Sequence, residues 1–428
     1  MKVAVIGTGH VGLVTCATLA DAGHEVTGTD ADGEKIVRLI RGETPFFEPG
    51  LQDLVRRGLE EGGLSFSTDP AEALARAKVA FICVGTPPRA DGEANLLAVE
   101  RSATDVARHA TNDIVVAEKS TVPVGTAGWL RLTLTRERPD LRFEIVSNPE
   151  FLREGKAIQD ALEPDRILVG AESPEGFAAM RELYRPWTER GCAMVETDLA
   201  TAELAKHACN AFLAMKISYI NAVGQVAERS GADIVAIADV MGADPRIGRA
   251  FLNAGLGYGG SCFPKDLVAF ERLAEKLGVE VPLLREIARI NDEAVAGAVS
   301  KVQQALWNLE GKRVALFGLA FKPDTDDVRF SPALGVARAL IEAGAEVVGY
   351  DPQASENAKA EIAELETAGD AYAAAAGAHC VVLCTDWPEF GNLDLVRLKE
   401  TMAYALVVDG RNLFDPEEMR RAGFGYYP

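Results

Sequence analysis

No stretch of this chain is apolar for long enough to cross a bilayer; Gly, Asp or Lys interrupts each run after a few residues. A basic leader with a cleavable apolar segment is also missing, because Met1 to Gly12 reads as a strand entering a Gly-rich turn. These two absences predict a cytoplasmic protein. Positive charge is scarce: 44 Lys and Arg stand against 64 Asp and Glu, a net charge of −20. That balance disfavours a nucleic-acid binder, whose affinity comes from clustered cations. It leaves room for a small anionic ligand held by a few cations in a cleft. The five histidines, His10, His24, His109, His207 and His379, form no cluster. None is assigned to catalysis, and no metal is expected. The seven cysteines are odd in number, and none has zinc spacing. Most read as small core residues.

What is present is length and alternation. The 428 residues call for two or three domains. Short apolar runs ending in Gly or Asp recur at 2–7, 25–30, 78–84, 114–117 and 144–147, separated by helical stretches. This is the pattern of an α/β doubly wound parallel sheet. From Asp198 to about Leu309 strands vanish, and a breaker-free helix runs from Thr201 to about Ser230. Strands return at 313–318, 345–350, 380–384 and 405–409. Leu19–Asp30 aligns without gaps to Leu340–Asp351, with Leu, Ala, two Gly, Glu, Val and Asp in register. The reading is two Rossmann-like domains, 1–197 and 310–428, joined by a long central helix and a helical middle domain, 198–309.

Gly7-Thr8-Gly9-His10-Val11-Gly12 follows a strand and opens a helix, the setting that gives G-x-G-x-x-G its meaning. Glycine lets backbone approach a pyrophosphate seated on the helix N-terminus. Asp30 ends the second strand, where an acid meets the ribose 2′-hydroxyl and repels a 2′-phosphate. NAD is therefore favoured over NADP, with Lys35 tempering the preference. The C-terminal copy has Gly318-Leu-Ala-Phe-Lys322-Pro-Asp-Thr-Asp-Asp-Val-Arg329 instead, too long and charged for a dinucleotide fingerprint.

The sharpest signal is Gly255-Leu-Gly-Tyr-Gly259-Gly260-Ser-Cys262-Phe-Pro264-Lys265-Asp266. Pro264 fits the first turn of a helix, so Cys262 falls at a helix N-terminus, where the dipole favours the thiolate. With Phe251-Leu252-Asn253-Ala254-Gly255 before it, this loop closely resembles the UDP-glucose/GDP-mannose dehydrogenase family. The resemblance covers the whole chain, through the Gly-rich N-terminus, Ser120-Thr121-Val-Pro-Val-Gly125, Asn148-Pro-Glu150-Phe151-Leu152-Arg-Glu154-Gly, Lys206-x-x-x-Asn210 and Phe321-Lys322-Pro-Asp-Thr-Asp-Asp-Val-Arg329.

The resemblance implies a cytoplasmic homodimer that oxidises a nucleotide sugar with NAD in two steps. Cys262 would be the nucleophile. Lys206 and Asn210 would steady developing oxygen charge, Asp266 would assist water or proton transfer, and Glu150 would be the base for hydrolysis, with Thr121 holding water. NAD would be held by Gly7, Gly9, His10, Val11, Gly12, Asp30, Lys35, Thr86, Thr121, Glu154, Lys265 and Arg329. The sugar nucleotide would meet Glu150, Phe151, Leu152, Glu154, Lys206, Asn210, Phe251, Leu252, Asn253, Ala254, Gly255, Gly259, Lys322 and Arg411. Arg246 would serve the neighbouring subunit's site. The cysteine loop favours UDP-glucose; GDP-mannose and other UDP-hexoses stay open. A one-step hydroxyacid dehydrogenase is disfavoured by Cys262 and the second α/β domain, and a non-catalytic sensor by the presence of Cys262, Lys206 and Glu150 together.

Overall fold

The computed structural model describes residues 1–428. Its chain divides into two compact units, Met1–Cys209 with Val268–Val279, and Asn210–Leu267 with Glu280–Pro428. The first unit holds eight strands: Lys2–Ile6 (β1), Glu25–Thr29 (β2), Leu64–Ser67 (β3), Val79–Ile82 (β4), Ile114–Glu118 (β5), Phe143–Ser147 (β6), Arg166–Ala171 (β7) and Ala193–Thr197 (β8). They lie in the order β3-β2-β1-β4-β5-β6-β7-β8. Pairing is parallel from β3 to β6; β7 joins β6 antiparallel and takes β8 parallel to itself. β4 and β5 are buried along their whole length. A strand covered on both faces needs continuous apolar sequence rather than alternation, which is why they were legible.

The second unit carries Arg313–Phe317 (β9), Glu346–Tyr350 (β10), Glu366–Thr367 (β11), Cys380–Leu383 (β12), Leu406–Asp409 (β13) and Gly425–Tyr427 (β14). Their order, β11-β10-β9-β12-β13-β14, repeats that of the first six strands of the other sheet. Both sheets thus follow the doubly wound order whose ligand crevice opens at the carboxyl ends of the strands, where the order reverses. Core clusters lie on both faces of each sheet.

Nine of the fourteen strands match the apolar runs read in the sequence. β11 and β14 are two and three residues long, too short to pattern. β8 is mostly exposed, and its apolar run Ala-Met-Val is short and gives way to Glu and Thr. β3 alternates over only four residues, Leu-Ser-Phe-Ser, whereas β7, outside the expected strands, carries the plain buried run Arg-Ile-Leu-Val-Gly-Ala.

The long helix spans Leu199–Ser230, 32 residues, and passes from the first unit to the second between Cys209 and Asn210. Two tryptophans are buried, one in each unit. Trp187 Nε1 donates to the Ala161 carbonyl, and Trp387 Nε1 donates to Asp351. No cysteine forms a disulfide; Cys16, Cys83, Cys380 and Cys384 are buried, and Cys192, Cys209 and Cys262 are half-buried.

Candidate active site

The Gly-rich turn is built as its spacing requires. Gly7 has φ +94, and a Cβ there would lie 2.5 Å from the Cys83 carbonyl oxygen. A Cβ on Gly12 would lie 1.8 Å from the Gly7 oxygen, so only glycine closes this turn. The helix His10–Asp21 that follows has no side-chain cap and no acid in its first turn. Its leading amides are therefore suited to an anion such as a dinucleotide pyrophosphate. Asp30, directly after β2, accepts from the Thr8 amide and hydroxyl at 2.9 Å and pairs with Lys35 at 2.8 Å. Burial alone would raise its carboxyl; the Lys35 and backbone bonds outweigh it and hold the group below the usual range.

The second sheet keeps the acid but changes its task. Asp351 is buried and accepts from Leu319, Ala320, Gln353 and Ala354 amides and from Trp387. Its carboxylate is consumed by the loop and neighbouring side chains, so no ribose-facing acid remains there. This is the physical counterpart of the long, charged loop after Gly318.

Two loops at the carboxyl ends of β5 and β6 carry Thr121 and Glu150. Glu150 is 7% exposed; Oε1 accepts Lys206 Nζ at 2.9 Å, and Oε2 accepts the Leu152 amide. Lys206 Nζ also stands 5.4 Å from the centroid of the Phe151 ring, whose other neighbour is Arg166 at 3.9 Å. Thr121 is held by its carbonyl, which accepts from Thr86 Oγ1 at 2.8 Å.

Three glutamates that sequence reasoning missed fasten these loops. Glu203 accepts from the Gly125 and Ala127 amides at 2.7 and 2.9 Å. Glu48 accepts from Gly155 and Ala157 at 2.7 and 2.8 Å. Each carboxylate spans the amides of a left-handed glycine and the residue two further on. Glu118 is 1% exposed and accepts the Ser120 amide at 2.8 Å. Burial pushes its carboxyl up to about 8 against the Ser120 bonds, with Glu203 adding to the rise. A lone Glu in sequence reads as a solvated charge, so no local signal separates these three from surface acids.

In the second unit the cysteine loop is packed against the segment after β9. A Cβ on Gly259 would lie 2.4 Å from the Phe330 oxygen, and Gly260, at φ +78, donates its amide to the Arg329 oxygen at 2.9 Å. Phe251, Asp324 and Phe330 also adopt positive φ, an arrangement that packing must enforce in residues other than glycine. Cys262 immediately precedes the helix Phe263–Lys276, and its carbonyl accepts the Asp266 amide at 2.9 Å. The expected helix start at Pro264 and the placement of the thiol at its N-terminus both hold. Asp266 is fully buried, with Oδ1 on Lys265 Nζ and Oδ2 on Asn210 Nδ2, each at 2.6 Å. Lys206 and Asn210 lie one turn apart on the same helix, each bound to a buried acid.

The remaining expected residues fall into three groups. The Phe251–Gly255 segment is braced from below: Gly255 donates to Asn221 Oδ1 at 2.8 Å, and Ala254 accepts Asn412 Nδ2 at 3.1 Å. Leu252 is buried and Asn253 Oδ1 accepts from Arg249. Arg411 donates to the Cys384 carbonyl at 2.6 Å, and Lys322 stands over Phe321. Arg329 and Arg246 instead turn onto Asp327 and Asp244, and Arg246 is 87% exposed at its side chain.

The chain matches three profiles of one family, the UDP-glucose/GDP-mannose dehydrogenases: the NAD binding domain at residues 1–188, the central domain at 200–293 and the UDP binding domain at 315–416. A UDP-glucose 6-dehydrogenase of Rhizobium meliloti (strain 1021) is 45% identical over 430 residues, covering 100% of this chain and 98% of the relative. A solved UDP-glucose dehydrogenase from the hyperthermophilic archaeon Pyrobaculum islandicum superposes with a TM-score of 0.93 at 38% identity, covering 100% of this chain and 96% of that one. A GDP-mannose dehydrogenase of Pseudomonas aeruginosa, 30% identical and covering 97% of both chains, superposes with a TM-score of 0.56. With its nine expected strands, its dinucleotide turn and its cysteine helix in place, this chain belongs to the UDP-glucose/GDP-mannose dehydrogenase family of NAD-dependent oxidoreductases.

Proposed function

We propose that this chain oxidises the C6 hydroxyl of UDP-glucose to a carboxylate, giving UDP-glucuronate through a thiohemiacetal and then a thioester on Cys262. The observation that carries the reading is Cys262 at the head of a helix whose first turn holds Asp266 against Asn210. The choice of UDP-glucose over GDP-mannose draws on the 45% identical relative and on the lower TM-score of the GDP-mannose enzyme, 0.56 against 0.93.

Bound NAD supplies the hydride acceptor for each of the two oxidations. The uncapped helix His10–Asp21 and Asp30 hold its pyrophosphate and ribose, with Lys35, Thr86, Thr121, Glu154, Lys265 and Arg329 around it. In the first oxidation the C6 carbon gives a hydride to the cofactor and the C6 hydroxyl gives its proton to water, leaving the aldehyde, while Lys206 and Asn210 donate to the oxygen as charge develops there. The Cys262 thiolate adds to the aldehyde carbon, forming the C–S bond, and the oxygen takes up a proton. As the second hydride leaves, the hydroxyl proton passes to water and that oxygen becomes the thioester carbonyl. Glu150 takes a proton from water positioned by Thr121; the hydroxide attacks the carbonyl, the C–S bond breaks, and the pair of electrons returns to sulfur. Asp266 keeps Asn210 oriented and assists the proton transfer. Phe151, Leu152, Phe251 to Gly255, Gly259, Lys322 and Arg411 hold the sugar nucleotide.

The same reading takes the active form to be a cytoplasmic homodimer in which Arg246 reaches the neighbouring site. Phe212, Tyr219 and Val226, spaced by seven on the long helix, are 58%, 55% and 64% exposed, an apolar stripe suited to a second copy. The three-part division into 1–197, 198–309 and 310–428 belongs to this proposal as well. The deciding experiment is NADH formed per UDP-glucose consumed, with GDP-mannose in parallel. Two NADH per sugar with UDP-glucose alone is expected. One NADH per sugar would remove the role given to Cys262.

A further inference from the structure

We propose that Glu48 is a positioning residue that holds the Glu150–Gly155 loop in the geometry needed for thioester hydrolysis. The proposal rests on the reading of Glu150 as the hydrolytic base. Glu48 lies more than a hundred residues before that loop, in Phe46-Phe47-Glu48-Pro49-Gly50. Its side chain is 0% exposed. Both oxygens reach the end of the Glu150 loop, one on the Gly155 amide and one on the Ala157 amide.

The loop needs such an anchor. Gly155 sits at φ +78, and Ala157 opens a short helix, Ala157–Leu162, whose preceding residue Lys156 supplies no side-chain cap. Without Glu48 two amides would be buried with no acceptor, a costly state that the loop would leave by moving. The start of the loop is fixed separately: Asn148 donates to Leu168 and accepts from Tyr184. Glu48 therefore fixes the far end, and Glu150 lies between two anchors.

The same carboxylate meets the cofactor turn. His10 Nε2, on the first residue of the dinucleotide helix, lies 3.1 Å from Glu48 Oε2. Burial lowers the His10 imidazole, but the adjacent Glu48 carboxylate and the charges of Glu154 and Glu150 outweigh it and leave it raised. The buried carboxylate thus bonds the loop that carries the base and lies beside the turn that takes NAD without a hydrogen bond to it.

The test uses the full-length enzyme with UDP-glucose and NAD. Rapid-mixing absorbance follows the first NADH, and intact mass spectrometry of quenched samples follows the sugar-nucleotide adduct on the protein. Glu48→Gln turns one acceptor into a donor facing an amide. Its first NADH should form within about threefold of the wild-type rate, while kcat falls about 10–100-fold and the adduct accumulates. Glu48→Asp, which keeps the carboxylate on a shorter arm, should recover part of kcat. Glu150→Gln is the reference and should accumulate the same adduct. Wild-type turnover in Glu48→Gln, or equal slowing of both NADH steps without adduct, would overturn the proposal. If Glu48→Gln does not fold, Glu48→Asp is read by the same criterion: adduct with slow hydrolysis supports the proposal, and wild-type hydrolysis overturns it. No adduct in Glu150→Gln would overturn the base assignment and the Glu48 proposal with it. Adduct in Glu150→Gln beside normal turnover in Glu48→Gln removes the Glu48 role alone.

Discussion

Four glutamates of the first unit, Glu48, Glu118, Glu150 and Glu203, are 5%, 1%, 7% and 3% exposed, and their buried carboxylates meet three kinds of surroundings. Glu150 faces a lysine; Glu48 and Glu203 face backbone amides; Glu118 faces the Ser120 amide with one oxygen and nothing with the other. Burial accounts for the raised carboxyl of Glu118, the Ser120 bonds offsetting only part of it. Its ordinary value is 4.5 and its folded value about 8. Below 4.5 both folded and unfolded chains carry the proton, so ionisation does not oppose folding. Between 4.5 and 8 the unfolded chain releases it first, and stability falls with pH by at most about 1.4 kcal/mol per unit. Above 8 the loss is complete. Glu118→Gln should therefore melt at higher temperature than wild type at pH 8, with the gap closing towards pH 5; a gap independent of pH would refute this. Only Glu150 of the four was found in the sequence, and only because Asn148-Pro-Glu150-Phe151 resembles a family motif. Burial of a charge depends on partners far along the chain, and no local pattern reports it.

Elements were easier to read than the contacts that hold them. The dinucleotide turn was visible because its chemistry is local: a strand, three glycines and a helix within twelve residues. Its geometry makes a sharp expectation. In Gly12→Ala the new methyl would meet the Gly7 oxygen at 1.8 Å, so the turn must open. NAD affinity, followed by calorimetry, should drop at least about 100-fold, consistent with loss of both the tight turn and the helix-terminal amides. UDP affinity should stay within about twofold, since the expected UDP contacts from Phe251 onward lie in the other unit. Equal loss of both ligands would mean general unfolding instead. The cysteine loop was equally legible for its glycines, but not for the neighbours that require them. Gly259 and Gly260 are small because Phe321 and Phe330, which follow much later in the chain, occupy the space a side chain would need.

The whole molecule is a repeated sheet with divergent loops. Twelve aligned residues at Leu19–Asp30 and Leu340–Asp351 announced the repeat, and the identical strand orders bear it out. What the alignment did not convey is that Asp30 and Asp351, equivalent by position, face different partners. Assembly is where the exposed stripe Phe212, Tyr219 and Val226 should show itself. Val226→Glu places a charge in that stripe, and sedimentation of the variant is expected to give monomers where the wild type gives dimers. Dimers of unchanged stability would send the interface elsewhere.

The four tryptophans carry an optical consequence. Trp129 and Trp307 are 69% and 95% exposed, whereas Trp187 and Trp387 are 5% and 6% exposed and lie one in each unit. Iodide in solution will extinguish the first two and leave the second two emitting. The light that survives the quencher then comes from one sheltered indole per unit, and replacing either by phenylalanine makes the remaining signal a private reporter of the other. Because Trp387 leans on Asp351, its emission will also register any ligand that disturbs the loop after Gly318.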